Sequence, residues 1–308
     1  MQKLIKSAIT YSASLPALDL LEQHLSENQF SELNTLDYSG SGFIYAPHNS
    51  QFITQLETGD LAFTLRFDEK IVPASVTTAE AKKIIAKREE EENRRLPAKE
   101  RSAIRDEVFF ELVAKALIKS IQITCFYNPE TNLLIVPTNS KKLADIVTSK
   151  LLKSLGSIKA QTIYVTDASH GLTVKIEGYL NTNYRFDNFN VEGCLKLKAD
   201  EKRAQSFKGD DLFIHKEGIL EAIAAGSKIV EIELSNDDLS FKVTSDFKIK
   251  SISFIEKNTE EQDFDSPLDC WKHEATVQVL MFSNAHKHLT ALFEYKAPET
   301  EAETEAKE

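Results

Sequence analysis

Apolar and polar residues alternate over Asp60–Phe67 (DLAFTLRF), the spacing of a strand with one buried face. Leu4–Tyr11 reads as another strand, and Pro16 then opens a helix carrying Leu18, Leu21 and Leu25 on one side. Val76–Arg94 is a highly charged helix. It ends at the turn Arg95-Leu96-Pro97-Ala98, because proline cannot continue a helix interior. A second helix runs from about Lys99 to Lys119. The two hold too few large apolar residues to lie flat on a core, so they are expected to project as a hairpin. Ile121–Asn128 and Leu133–Pro137 flank a turn and form a β-hairpin, and Asn139 or Ser140 caps a helix that stops at Gly156. Further strands are expected at Thr162–Val165, Leu172–Tyr179, Ile229–Leu234, Leu239–Thr244, Phe247–Ile255 and Glu274–Phe282, with Asn181–Phe189 irregular. Helices are expected at Lys216–Ala225 and from a Ser283 cap to about Tyr295.

Strands in hairpin-like runs with single helices between them predict an α+β fold. Its sheets are mixed or antiparallel, with flanking helices, rather than a doubly wound parallel sheet. No internal repeat occurs. The expected organisation is a central α+β domain from residues 1–75 plus 120–167, a helical tip hairpin at 76–119, a base α+β domain at 168–296 and a disordered acidic tail at 297–308.

The chain has 308 residues, 42% of them hydrophobic, enough for a substantial core. No apolar run reaches the roughly 20 residues that span a bilayer, so no membrane partner is expected. The N-terminus lacks a cleavage pattern and reads as a strand. Cys125, Cys194 and Cys270 are odd in number and far apart, which points to buried thiols in a reducing cytoplasm. The formal charge of -11 argues against a uniformly basic coat. Local fields, however, govern anion binding. Part of the negative charge sits in the tail Ala297–Glu308 (APETEAETEAKE), which holds five glutamates and one lysine.

Catalytic signatures are scarce. There is no Walker loop, G-x-G-x-x-G, G-x-S-x-G or Cys-x-x-Cys. Gly40 and Gly42 (SGSGF) read as a loop. His286 and His288, two apart on an expected helix, do not share a face for a metal. The acidic pairs Asp210-Asp211, Asp237-Asp238 and Glu260-Glu261 read as turn residues rather than a two-metal site. Neither cofactor nor metal is expected.

Basic residues remain. Projected on a helix, Asn139–Leu155 places Leu143, Val147, Leu151 and Leu155 on one face. Lys142, Lys150 and Lys153 lie on another, with Lys141 near and only Asp145 opposing. A solvated face ordinarily mixes signs at i,i+4 spacing; this one is nearly single-signed, a pattern suited to phosphate. Lys115 and Lys119 are expected one turn apart on the second hairpin helix. Phe110 and Leu117 lie on a flank outside its core stripe of Phe109, Leu112, Val113 and Ala116. Such a flank either meets another chain or packs on the neighbouring helix. Most charges from Lys82 to Arg105 are offset by Glu80, Glu89–Glu92 and Glu100, with Arg94 and Arg95 less so.

The order of short segments resembles the RdgC family of bacterial recombination-associated proteins. The segments are Gly59-Asp60 into a strand, Glu69-Lys70-Ile71-Val72-Pro73, a long charged helix, Lys99–Arg105, Asp106-Glu107-Val108, a hairpin, Ser140–Asp145 and Lys153–Ser157. The resemblance is closest over Gly59–Lys159. It implies a non-enzymatic protein that binds double- and single-stranded DNA with little sequence preference. Two chains would close into a ring-forming homodimer around the duplex, associated with the nucleoid in the cytoplasm, and restrain RecA-dependent recombination. By the same resemblance, Lys115 stands near a gate between subunits and Leu117 where a relative has an aromatic finger. Lys208 stands near a basic position, and Asp210 where a neutral amide is expected. The expected DNA contacts are Lys115, Lys119, Lys141, Lys142, Lys150, Lys153 and Lys208, with Phe110 and Leu117 at the dimer gate. The alternatives are a metal-dependent nuclease using Asp210, Asp211 or other carboxylates, and an adaptor that acts on RecA without touching DNA.

Overall fold

The computed structural model describes residues 3–156, 161–162, 168–182, 186, 188–200, 203–209, 211–255 and 263–293. Its α+β architecture contains two antiparallel sheets and seven α-helices among those residues. The first sheet is built from β1 (Ile9–Ser12), β2 (Ser39–Ile44), β3 (Ile53–Gln55), β4 (Leu61–Lys70), β5 (Ile118–Asn128), β6 (Leu133–Val136) and β7 (Gln161–Thr162). Its main path runs β2-β4-β5-β6-β1-β7, with β3 also paired to β4. The second sheet comprises β8 (Asn190–Lys198), β9 (Ala204–Lys208), β10 (Lys228–Ser235), β11 (Leu239–Thr244) and β12 (Ile249–Phe254), in the order β12-β11-β10-β8-β9.

The two faces of the first sheet are buried by different helices. Leu61, Phe63, Leu65 and Phe67 pack under α1 (Leu18–Glu27), through Leu21 and Leu25. The same face packs under α4 (Lys141–Leu155), through Ala144, Val147 and Leu151. Ala62, Phe126 and Ile135 on the other face join a larger core. It includes α5 (Ala168–Thr182), α6 (Lys216–Ala224), α7 (Pro267–Leu292) and the second sheet. Asp60–Phe67 was expected to bury one face; β4 buries both, because helices cover both sides of the sheet. Past Thr64 the second face turns polar but stays tight. Arg66 and Asp68 pair at 2.7 Å, and this hydrogen bond holds the Asp68 carboxyl below its ordinary range.

Chain entry stitches the sheets together. Ala8 exchanges backbone hydrogen bonds with Ile249 of β12, and the following residues pair with β6 and β7. The buried Gln278 side chain of α7 accepts from the backbone N–H groups of Leu4 and Ile5, at 2.9 and 3.2 Å.

Several expectations are corrected. Leu172–Tyr179 is helical within α5, because Leu172, Ile176 and Leu180 recur every four residues on one buried face. Glu274–Phe282 is not a strand, nor does Ser283 cap a helix; both lie inside α7. Trp271, Ala275, Val279, Phe282, His286 and Leu289 follow helical spacing, and Ser266 with Pro267 supplies the start. Strands β8 and β9 were not expected. Thr162–Val165 is described only at Thr162, in β7. Gly40 and Gly42 lie in strand β2, not a loop: a Cβ on Gly42 would stand 2.3 Å from the Phe30 Cα, so only glycine admits that backbone. Cys125 is buried, its thiol pushed up by desolvation, whereas Cys194 and Cys270 are half-buried.

The charged segment forms α2 (Ala74–Glu91) and α3 (Ala98–Lys115), which pack on each other through a small core of Ala81, Leu96, Ile104 and Val108. Arg94 at the bend is compensated after all, pairing with Glu92 at 2.6 Å and Glu100 at 2.8 Å. The second helix stops at Lys115, one turn before the expected Lys119. There β4 offers a ladder from Leu61↔Tyr127 to Lys70↔Ile118, and Ile71 donates to the Leu117 carbonyl at 2.8 Å. The β-branched run Ile118, Ile121, Ile123 gains more from that ladder than from another helical turn.

Candidate nucleic-acid interface

The single-signed face expected on Asn139–Leu155 exists as one wall of a groove. Ser140 caps α4 by accepting from the Leu143 N–H, and Gly156 ends it at φ 73°, a left-handed conformation suited to glycine. Burial of Val147 and Leu151, with Leu143 and Leu155 partly buried, fixes the helix's rotation. Lys141, Lys142, Lys150 and Lys153 consequently share a groove of about 810 Å³ with Tyr38, Ser39, Gly40 and Ser41 at the edge of the first sheet. Phe67 and Glu69 form its floor.

The four lysines are not equivalent. Lys142 Nζ lies 2.6 Å from Glu69 Oε1 and 5.6 Å from the centre of the Phe67 ring. Among the described residues, Lys141, Lys150 and Lys153 have no ion-pair partner. Partial burial lowers the Lys150 pKa from its ordinary value, and the neighbouring Lys153 charge lowers it further. Two lysines in the first turn of α4 also oppose the helix dipole, which favours anions there. The groove lining thus holds four cations against two carboxylates, Glu69 and Asp145, in a protein of charge -11. A phosphate entering it would relieve the Lys150–Lys153 repulsion.

The other expected contacts divide. Lys119 is not on a helix beside Lys115. On β5 it stands opposite Glu69, and strand alternation turns it to the face that carries Phe67 and the groove. Lys115 is exposed at the end of α3. Lys208 ends edge strand β9 of the second sheet, its carbonyl 3.2 Å from His215 Nε2. Phe110 is 54% exposed on α3. Leu117, at 79%, lies past the helix in the step into β5, and Ile118 (47%) and Ile71 (52%) extend the apolar surface beside it. Of the core stripe, Val113 is buried, Leu112 partly so, and the Phe109 ring lies against Tyr38, centres 5.4 Å apart and planes tilted by 50°.

The described members of the acidic pairs lie in separate turns. Asp211 Oδ1 caps a short 3-10 turn by accepting from the Phe213 N–H, and Asp237-Asp238 sit in the β10–β11 turn. Asp210 and Glu260-Glu261 lie outside the described residues. Among the described residues no group of three His, Cys, Asp or Glu side chains is placed to hold a metal. His286 is buried, 3.1 Å from Thr10 Oγ1, its pKa lowered to about 4 by desolvation, while His288 lies beside Asn188. No described helix is long and apolar enough to cross a membrane. Sequence reading missed the β2 wall; its signal was the alternating Gly40 and Gly42, which mark a strand that another backbone approaches closely.

The chain is similar to proteins named "Recombination-associated protein RdgC". The one from Actinobacillus succinogenes is 26% identical over 250 residues, 80% of each chain. Its counterpart from Shewanella loihica is 26% identical over 258 residues, 81% of this chain and 83% of the relative. That from Neisseria meningitidis serogroup C is 21% identical over 282 residues, 91% of this chain and 93% of the relative. A family profile described as "Putative exonuclease, RdgC" matches residues 4–296. Matched over nearly its whole length, the chain belongs to the RdgC family.

Proposed function

We propose that the protein binds DNA through the phosphate backbone, without sequence preference, and acts in recombination. The observation that carries this reading is the groove in which Lys141, Lys150 and Lys153 lack partners. Lysine charges respond to phosphate, and phosphate contacts carry no sequence information. Lys119 extends the positive surface, and Lys115 and Lys208 add to it. Relatives named for recombination support the biological setting. In this reading two chains form a ring around DNA, associate with the nucleoid in the cytoplasm and restrain a RecA-type recombinase by occupying its substrate. The exposed Phe110, Leu117, Ile118 and Ile71 surface is one contact between the subunits.

Affinity measured against salt, on two unrelated duplexes and one single strand, tests the proposal. The expected result is a steep loss with salt from counterion release, alike on both duplexes. A flat slope, a strong preference for one duplex, or a gel shift that requires RecA would overturn it. Leu117→Asp should lower the sedimentation coefficient from dimer to monomer if that surface is a subunit contact. The family description favours a second reading, an exonuclease. Incubating end-labelled DNA with the purified chain and Mg²⁺ or Mn²⁺ decides it; release of nucleotides would establish the enzyme.

A further inference from the structure

The groove wall that faces α4 is an open stretch of sheet edge. In an antiparallel pair, hydrogen-bonded and non-hydrogen-bonded residues alternate. The Lys70 N–H donates to the Tyr38 carbonyl at 2.9 Å, and Ser39, Gly40 and Ser41 stand opposite Glu69, Asp68 and Phe67. Gly40 therefore bonds to β4, and the backbone groups of Ser39, Ser41 and Phe43 point away from it. At Phe43 these outward groups are occupied: its N–H donates to the Asn28 carbonyl and its carbonyl accepts from the Phe30 N–H. At Ser39 and Ser41 they have no partner among the described residues.

The side chains at the same two positions face the groove. Ser39 and Ser41 share the sheet face of Glu69 and Phe67, the groove floor. Among the described residues neither hydroxyl has a hydrogen-bond partner, and neither does that of Ser149 on the α4 side. Leu33 backs the wall from the other face, where a Cβ on Gly40 would stand 2.7 Å from its Cδ2. Lysines on one wall thus look across at unused hydroxyl and amide donors on the other.

Size sets what can enter. A cube of 810 Å³ has an edge of about 9 Å, less than the roughly 12 Å of a duplex's major groove alone. A duplex can lay one phosphate ridge on the lysine rim, whereas a single strand can sink between the walls.

We infer that the groove seats one sugar–phosphate strand between α4 and β2, with Ser39 and Ser41 as phosphate contacts beside the lysines. Single-stranded DNA is then gripped by both walls and duplex DNA by the lysine wall only. The inference rests on the groove being the DNA site. Hydroxyl and backbone N–H groups are ordinary phosphate donors, and a hydrogen bond to a charged acceptor is stronger than one between neutral groups. Neutral donors release no counterion, so their contribution leaves the salt slope unaltered.

The test compares full-length proteins on oligothymidine and on a duplex across a range of salt. Ser39→Ala with Ser41→Ala should weaken oligothymidine binding about tenfold at an unchanged log–log salt slope, and duplex binding by less than about twofold. Ser39→Thr with Ser41→Thr, which keeps both hydroxyls, should restore most of the loss. In a Ser41→Cys chain, alkylation at position 41 should slow when oligothymidine saturates the protein and slow much less with duplex; this readout does not depend on the alanine protein. Unchanged oligothymidine affinity in the alanine protein, equal losses on the two nucleic acids, or a salt slope lowered together with affinity overturns the inference. So does alkylation that oligothymidine leaves as fast as before. The reversal Lys150→Glu with Lys153→Glu separates the two failures. If it weakens binding and the serine substitutions do not, the β2 contacts fail and the DNA reading stands. If neither weakens binding, the groove is not the DNA site and both fall.

Discussion

Two lysine-bearing surfaces of this protein look alike in sequence and differ in surroundings. On the second sheet Lys196 lies 2.6 Å from Glu231, Lys250 lies 3.7 Å from that same carboxylate, and Lys242 lies 3.4 Å from Glu233. There strand pairing sets acids and bases side by side, and the surface neutralises itself. On α4 the neighbours of Lys150 are Lys153, Ser149 and Ile146, and the facing strand offers Ser39, Gly40 and Ser41. One set of lysines is paired within the fold; of the other, Lys141, Lys150 and Lys153 have no ion-pair partner among the described residues. The hairpin of α2 and α3 is mixed: Lys83, Lys87 and Arg94 have carboxylate partners, whereas among the described residues Lys82, Arg88, Arg95, Lys99, Arg101 and Arg105 form no ion pair. A count of basic residues does not separate these surfaces.

Charge reversal should separate them most sharply. Lys150→Glu with Lys153→Glu should reduce affinity for any duplex on the order of 100-fold at 50 mM salt, and flatten the log–log salt slope by about 2. The matching pair on the second sheet, Lys196→Glu with Lys250→Glu, should leave DNA affinity within about twofold. It should instead lower unfolding stability by about 2 kcal/mol, because half-buried Glu231 would face like charges; urea titration reads this. If the sheet reversal weakened DNA binding as strongly as the helix reversal, the distinction would collapse.

A gentler change moves one lysine between the classes. Glu69→Gln removes the partner of Lys142, so DNA affinity should rise about threefold and the salt slope should steepen by almost 1. Smallest of all is the effect of pH. Lys150 loses its proton at lower pH than an ordinary lysine, because burial and Lys153 disfavour its charge. DNA affinity should therefore begin to fall, as pH rises into the alkaline range, earlier in the natural chain than in Lys150→Arg. Coincident pH profiles would show that Lys150 does not touch the phosphates.

Legibility of the fold followed the clarity of local signals. The α4 helix, its Ser140 and Gly156 ends, the β5–β6 hairpin and the proline break between α2 and α3 were readable, since caps, turns and periodicity act within a few residues. Leu172–Tyr179 and Glu274–Phe282 misled because β-branched residues there mimic strand composition, while the helical spacing of Trp271, Ala275, Val279 and Phe282 extends beyond a short window. The end of α3 was misplaced by one turn, because its stop is imposed by a strand more than forty residues earlier.

What the sequence determined by itself was the single-signed lysine face of α4, a property of one short segment. What only the tertiary structure decided was which lysines remain unpaired. Glu69 reaches Lys142 from another strand, Glu231 reaches Lys196 and Lys250 across the second sheet, and the β2 wall brings hydroxyls but no carboxylate to Lys150. The physical reason is the short range of charge pairing in water: a few ångströms of backbone placement fix whether a lysine is spent or available.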